Sequence, residues 1–254
     1  MLIFRKARPP DPRYTSAAAA WMGRRVFPAA LLPAVRRLGL LALNQEPSPM
    51  AVVLPAPLDF WFDFSSPYSY IANEWVDAVA ARHGRTVRRH AILLGATFQA
   101  AGLRPPVDFP LKGVYMRRDF ERSARFEGLP CALPAEFPIA TQNAARVFWW
   151  LHDTQGQQAA ARWATAGLRA VFVQGLPLHR AEGLDALASA QGLDLPTVHA
   201  VCADPACKAR LKQANDEAIA AGVFGAPFFK VDGEPFWGND RRPQIERWLA
   251  QGPF

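Results

Sequence analysis

Ser66-Pro67-Tyr68-Ser69 is where residue types and spacing first suggest chemistry. The stretch before it alternates Leu58, Phe60, Phe62 and Phe64 with Asp59, Trp61 and Asp63, the period-two pattern of a strand. After it, apolar residues recur at Ile71, Ala72, Trp75, Val76 and Val79. That spacing predicts a helix to about Gly84, with Ser66 as N-cap and Pro67 at the first helical position. First-turn N–H groups lack intrahelical partners and carry partial positive charge, so this place favours an anion, a thiolate included. Two serines cannot form a disulfide, which excludes thiol–disulfide exchange here. The Ser66 hydroxyl can still donate a hydrogen bond to a sulfur brought from outside. Ser66 as an N-cap and nothing more is the structural alternative, and at this point both stand.

The elements that must position this stretch follow from the pattern of the rest. Thr86–Leu94 reads as the next strand, so the start is β-α-β with a parallel pair. Helical spacing then runs through Tyr115–Phe126, Thr141–Asp153, Gln158–Val173, Ala181–Gln191 and Pro205–Ala221, separated by Pro and Gly. Pro227–Val231 and Glu234–Trp237 flank Asp232-Gly233, a two-residue hairpin signal. Asn239 and Asp240 are placed to cap a last helix containing Ile245, Trp248 and Leu249. The order predicts an α/β chain with a thioredoxin-like fold and a large α-helical insertion. Residues 58–100 and 205–254 would form the thioredoxin-like domain and 101–204 the inserted helical domain. In that fold Ala226–Pro227, in Val223-Phe-Gly-Ala-Pro-Phe-Phe229, would be a cis bond beside the first helix's N-terminus, leaving the Ala226 backbone free to pair with an extended peptide; an ordinary proline leading into a strand is the alternative.

Charge and composition narrow the function classes. The chain has 254 residues, half of them hydrophobic, and a net charge of +7. Residues 1–49 hold eight basic and two acidic side chains, which accounts for six of those charges, so the body is close to neutral and offers no basic face for nucleic acid. Residues 1–57 are expected to be a basic, disordered extension. Its Arg24-Arg25 pair faintly resembles a twin-arginine signal, but the apolar stretch behind it is short, and Met50 is an alternative start. No apolar run is long enough to span a membrane. Cys131, Cys202 and Cys207 form no C-x-x-C, and the five histidines form no H-E-x-x-H, so no metal site is expected. Free thiols fit a reducing compartment, the cytoplasm.

Phe62-Asp-Phe-Ser-Ser-Pro-Tyr-Ser-Tyr70, Val223–Phe229 and Trp237-Gly-Asn-Asp-Arg241 together resemble the 2-hydroxychromene-2-carboxylate isomerase family, which is similar to kappa-class glutathione transferases. The resemblance covers about Leu58 to Leu249. It implies reduced glutathione as cofactor, a small aromatic carboxylate as substrate, aromatic-compound degradation as setting and a homodimer. It also implies site roles: Ser66 beside the glutathione sulfur as the catalytic residue, and Ala226 with Pro227 at the cysteinyl unit. Asn239 and Asp240 would hold the γ-glutamyl end, and Lys112 would pair with a carboxylate. Leu103 departs from the pattern, since kappa-type relatives have asparagine there; Arg104 is the available substitute. Phe148, Trp149 and Trp150 are candidates either for a flat apolar pocket or for the core. A kappa-like transferase or peroxidase, or a non-catalytic glutathione-binding protein, are the alternatives.

Overall fold

The computed structural model describes residues 55–254; the readings placed on residues 1–54, the Arg24-Arg25 pair and Met50 among them, lie outside the described residues. Strand β1 (Leu58–Phe62) is central in a four-stranded sheet of order β2-β1-β3-β4. It pairs in parallel with β2 (Val87–Ala91) and antiparallel with β3 (Phe228–Val231), whose outer neighbour is β4 (Glu234–Trp237). Both faces of β1 are covered. Phe60 stacks on Phe229 at 5.1 Å under Trp75 of α1 (Pro67–Arg82). Trp61 and Phe228 point the other way, toward Ala218 of α8 (Pro205–Ala220) and Val223. Asp232 and Gly233 turn the β3–β4 hairpin with φ of 53° and 90°, the positive angles a two-residue turn needs.

Between β2 and β3 run α2 (Leu94–Ala100), a 3-10 turn at Pro106–Asp108, α3 (Pro110–Phe126), α4 (Gln142–Gln155), α5 (Gln157–Phe172), α6 (Ala181–Ala190), α7 (Leu195–Ala203) and α8. α9 (Arg242–Gln251) closes the chain. This is the α/β, thioredoxin-like arrangement with a large helical insertion. The insertion is fastened to the sheet by polar contacts as well as packing: the Trp149 indole donates to the Ala91 carbonyl at 2.9 Å. Buried Arg89 forms a fork with Asp77 of α1, at 2.7 and 3.0 Å, and donates to Asn73.

Three boundaries differ from the sequence pattern. The second strand stops at Ala91 and a short helix, α2, starts at Leu94. Its N-terminus has no local side-chain cap; the Leu93 and Leu94 amides donate instead to Asn215 and Asp63, far away in sequence. α3 begins at Pro110, five residues before the expected Tyr115, because Pro at the first position is compatible with a helix start. α7 was not anticipated: Asp194 caps it through the Thr197 amide at 3.0 Å.

Asp63 ties these pieces together. Its carboxylate accepts from the Ser65 amide (2.8 Å), the Leu94 amide (2.7 Å) and the Thr141 hydroxyl (2.7 Å). It thereby holds the β1–α1 turn, the start of α2 and the N-cap of α4 on one group. Burial pushes its carboxyl above the ordinary aspartate value, against the pull of those three donors. Removing it leaves three donors without acceptors, so Asp63→Ala should cost about 3 kcal/mol in denaturant unfolding. The folded chain binds the Asp63 proton more tightly than the unfolded chain. Stability from this group is therefore fullest below the ordinary value of 3.8 and declines as pH rises through the higher folded pKa. The wild-type advantage over Asp63→Asn should accordingly shrink from acid toward neutral pH in urea titrations.

Candidate active site

Ser66 stands where β1 gives way to α1, in extended conformation with φ −94° and ψ 112°, and it caps the helix: its Oγ accepts from the Ser69 amide at 3.1 Å. The same hydroxyl donates to the Ala226 carbonyl, 160 residues on, at 3.0 Å. A hydroxyl carries one proton, so Ser66 gives it to Ala226 while accepting from the helix. Pro67 has no amide proton, and the Ser69 and Tyr70 amides are satisfied by Ser66 Oγ and its carbonyl. The Tyr68 amide therefore remains as a first-turn donor with no partner among the described residues, and no acidic residue stands in that turn. Such an end stabilises negative charge. Ser69, the other serine, is fully buried, and its hydroxyl has no partner among the described residues.

The Ala226–Pro227 bond is cis. The Pro227 carbonyl accepts from the Gly238 amide at 3.1 Å, which brings the end of β4 beside this loop. Two glycines make the approach. A Cβ on Gly225 would sit 2.6 Å from the Trp237 indole nitrogen, and one on Gly238, at φ 112°, would sit 2.5 Å from an Asp240 carboxylate oxygen. Asn239 and Asp240 do not cap the last helix as expected. Asn239–Arg241 is a 3-10 turn, and Arg241 stands at the start of α9 without a side-chain cap. Asn239 instead spends its Oδ1 on the Trp75 indole of α1 at 2.8 Å, and Asp240 is exposed with Arg241 3.2 Å away. One chain of contacts thus joins Ser66, Ala226, Pro227 and Asn239 around the top of α1.

Lys112 lies apart from that chain, exposed in the first turn of α3 with its ammonium 5.9 Å from the Phe109 ring. Arg104 packs on the same ring at 4.8 Å, and Leu103 is exposed beside it. What connects α3 to the site is a contact that sequence reading missed. The Tyr68 phenol, two residues after Ser66, donates to Asp119 at 2.7 Å, and Asp119 also takes Tyr115 and Arg122. Burial first, then the Asp119 hydrogen bond, pushes the Tyr68 phenol up, so it stays a donor at neutral pH. No local pattern marked Asp119, since a carboxylate on a helix face is ordinary.

Phe148 and Trp149 are core rather than pocket: both are buried, Phe148 edge-on to Phe62 and Trp149 tied to Ala91. Trp150 packs partly buried against the same core. Burial is the first cause that raises all three cysteine thiols, Cys202 to about 11, which disfavours the thiolate at each. No cluster of three or more potential metal ligands occurs among the described residues.

The family model for a DSBA-like thioredoxin domain matches residues 57–250. A 2-hydroxychromene-2-carboxylate isomerase of Sphingobium xenophagum is 31% identical over 76% of this chain and 97% of its own length. Glutathione S-transferase kappa 2 of Caenorhabditis elegans is 29% identical over 77% of this chain and 92% of its own. A solved 2-hydroxychromene-2-carboxylate isomerase structure superposes with a TM-score of 0.70 at 27% identity, covering 76% of this chain and 94% of that one.

The two serines should separate in a stability measurement. Ser66→Ala removes a cap and the link to Ala226, costing about 1–2 kcal/mol. Ser69→Ala removes a buried hydroxyl without a partner and should leave the melting temperature unchanged or higher.

Proposed function

The chain belongs to the family of DSBA-like thioredoxin domains, and within it to the 2-hydroxychromene-2-carboxylate isomerases; from that premise we propose that it is a glutathione-dependent isomerase of 2-hydroxychromene-2-carboxylate-type compounds. An isomerase is what its relatives make it. The observation that carries the glutathione reading is the Ser66 hydroxyl, held between the N-terminus of α1 and the Ala226 carbonyl.

The residues present fit reduced glutathione. The Tyr68 amide and the Ala226 amide both lack partners among the described residues, and the exposed Asp240 carboxylate suits an α-ammonium. In this reading Ala226 and Pro227 receive the cysteinyl unit, Asn239 and Asp240 the γ-glutamyl end, and Lys112 a carboxylate of the tripeptide or the substrate. When bound, glutathione supplies a thiolate that adds reversibly to the substrate's conjugated double bond and so permits rotation to the trans-benzylidenepyruvate.

The chain's own part is electrostatic. Ser66 turns its single proton from the Ala226 carbonyl toward the sulfur, which leaves that carbonyl free to accept an N–H from the tripeptide. The helix end and the Tyr68 amide favour the thiolate over the thiol, lowering a pKa ordinarily near ~8.5. Asn239, held by Trp75, keeps the loop after β4 at the top of α1. The setting is aromatic-compound degradation, in a cytoplasm where glutathione is kept reduced. No helix among the described residues is long and apolar enough to cross a membrane. A homodimer belongs to the same reading, supported by Leu111, Val114 and Phe126, which leave α3 largely exposed.

Wild-type turnover should vanish on dialysis, return with added glutathione, and leave the glutathione unconsumed. Ser66→Ala should lower kcat/KM at least about tenfold, the equivalent of one lost hydrogen bond to a charged group. Asp240→Asn should raise the glutathione KM about fivefold with kcat little changed, as loss of an exposed ion pair predicts. Consumption of glutathione would favour instead a kappa-like transferase or peroxidase, and activity without it would remove the reading altogether. For assembly, sedimentation should give twice 28.0 kDa for the wild type, and Leu111→Asp with Val114→Asp should give the monomer.

A further inference from the structure

A cleft of about 400 Å³ opens on the face of the sheet opposite α1, along β3 and β4, and takes no part in the site around Ser66. Phe224, Phe228, Trp237, Pro235 and Ala221 line it, with Lys230 as its one charged residue. Phe228 and Lys230 alternate along β3 with Phe229 and Val231, which face α1, so the placement follows from strand periodicity.

Its walls are aromatic and partly wet. Trp237 is 53% exposed, an unusual state for tryptophan, and Phe224 meets its ring edge-on at 4.9 Å. The indoles of Trp75, Trp149, Trp163 and Trp248 each donate a hydrogen bond, whereas the Trp237 indole N–H has no partner among the described residues. The absence of a side chain at Gly225 is what lets that indole lie against the loop. Lys230 Nζ donates one hydrogen to the Ala221 carbonyl, at the end of α8, at 2.6 Å. An ammonium has three donors, so two remain. Asp59 stands opposite Lys230 on β1 but is taken by Arg88 and His90, and no carboxylate lines the cleft among the described residues.

We propose that this cleft is a second binding site, for a planar aromatic anion. The ring would lie against Phe224, Phe228 and Trp237, and its carboxylate would take Lys230. The cleft is shallow and open to solvent, and its composition is what small-molecule sites share: apolar walls with few polar groups. A peptide strand is a poorer occupant. Pro235 pairs with Lys230 at a position of the β3–β4 hairpin where an outward amide would be needed for strand addition, and proline has none. The proposal is independent of glutathione, since Ser66, Tyr68 and Asp240 are not in the cleft.

Titration of the full chain with 2-naphthoate, followed by ¹H–¹⁵N spectra, tests it. The Trp237 indole resonance, assigned by its absence from Trp237→Phe, should shift and saturate. The neutral isostere 2-naphthamide should bind about tenfold more weakly, as loss of a charge-assisted hydrogen bond predicts. Lys230→Gln should bring 2-naphthoate to the level of 2-naphthamide. Should that variant fail to fold, the comparison of the two ligands on the unchanged chain still reads the charge. Ser66→Ala should bind 2-naphthoate as the wild type does, which separates this site from the isomerase reading. Equal affinity for the two ligands, an unmoved Trp237 resonance, or shifts confined to Tyr68 and Lys112 would each overturn the proposal.

Discussion

A buried carboxylate receiving three hydrogen bonds is the constraint on which the rest of the structure depends. Asp63 stands at the carboxyl end of β1, where the chain must leave the sheet and enter α1. The groups it accepts from belong to the turn itself, to the start of α2 and to the cap of α4. Ser65 adds a fourth tie by accepting from the Ile139 amide at 3.1 Å. Taking a carboxylate out of water is expensive, and the donors offset that cost only while all of them stay in place. The helical insertion is thus registered against the sheet at the point where the first helix of the thioredoxin-like core begins.

That registration gives Ser66 its setting. Its hydroxyl has one proton and two acceptor positions, and the fold uses the proton on Ala226 and one acceptor position on the Ser69 amide. Both bonds are made within the chain, one to the backbone of α1 and one to the loop before β3. Ser69 shows the contrast. Three residues on, it contributes no cap, and its hydroxyl has no partner among the described residues.

The two faces of the sheet carry different chemistry for one reason. Alternation along β3 sends Phe229 and Val231 under α1 and leaves Phe228 and Lys230 beside α8 and the open edge. The first face builds the core that holds the helix N-terminus still. The second is only partly covered, because α8 ends at Ala220 and the chain turns away toward the Ala226–Pro227 loop. Trp237 and Phe224 sit at the junction of the two regions, close to the loop in sequence yet facing the cleft.

Much of this was legible in residue order. Alternation along Leu58–Phe64, the Ser66-Pro67 start and the Asp232-Gly233 turn each express a local rule, so β1, α1 and the hairpin appeared where expected. α2 was not legible, because Asp63 and Asn215 supply its N-terminal acceptors from elsewhere in the chain. Asn239 was read as a cap on local grounds, yet Trp75 claims its oxygen across 164 residues. Residue type alone fits Phe148-Trp149-Trp150 to core or pocket; packing against Phe62 and the bond to Ala91 make Phe148 and Trp149 core. The sequence by itself determined β1, α1 and the β3–β4 hairpin, and which helix begins with an unneutralised, serine-capped end, since those depend on side chains a few residues apart. Residue order already put Ala226 beside that end; only the tertiary structure decided the Ser66–Ala226 hydrogen bond, the Tyr68–Asp119 link and the cleft on the far face, because each joins groups on different elements of the fold.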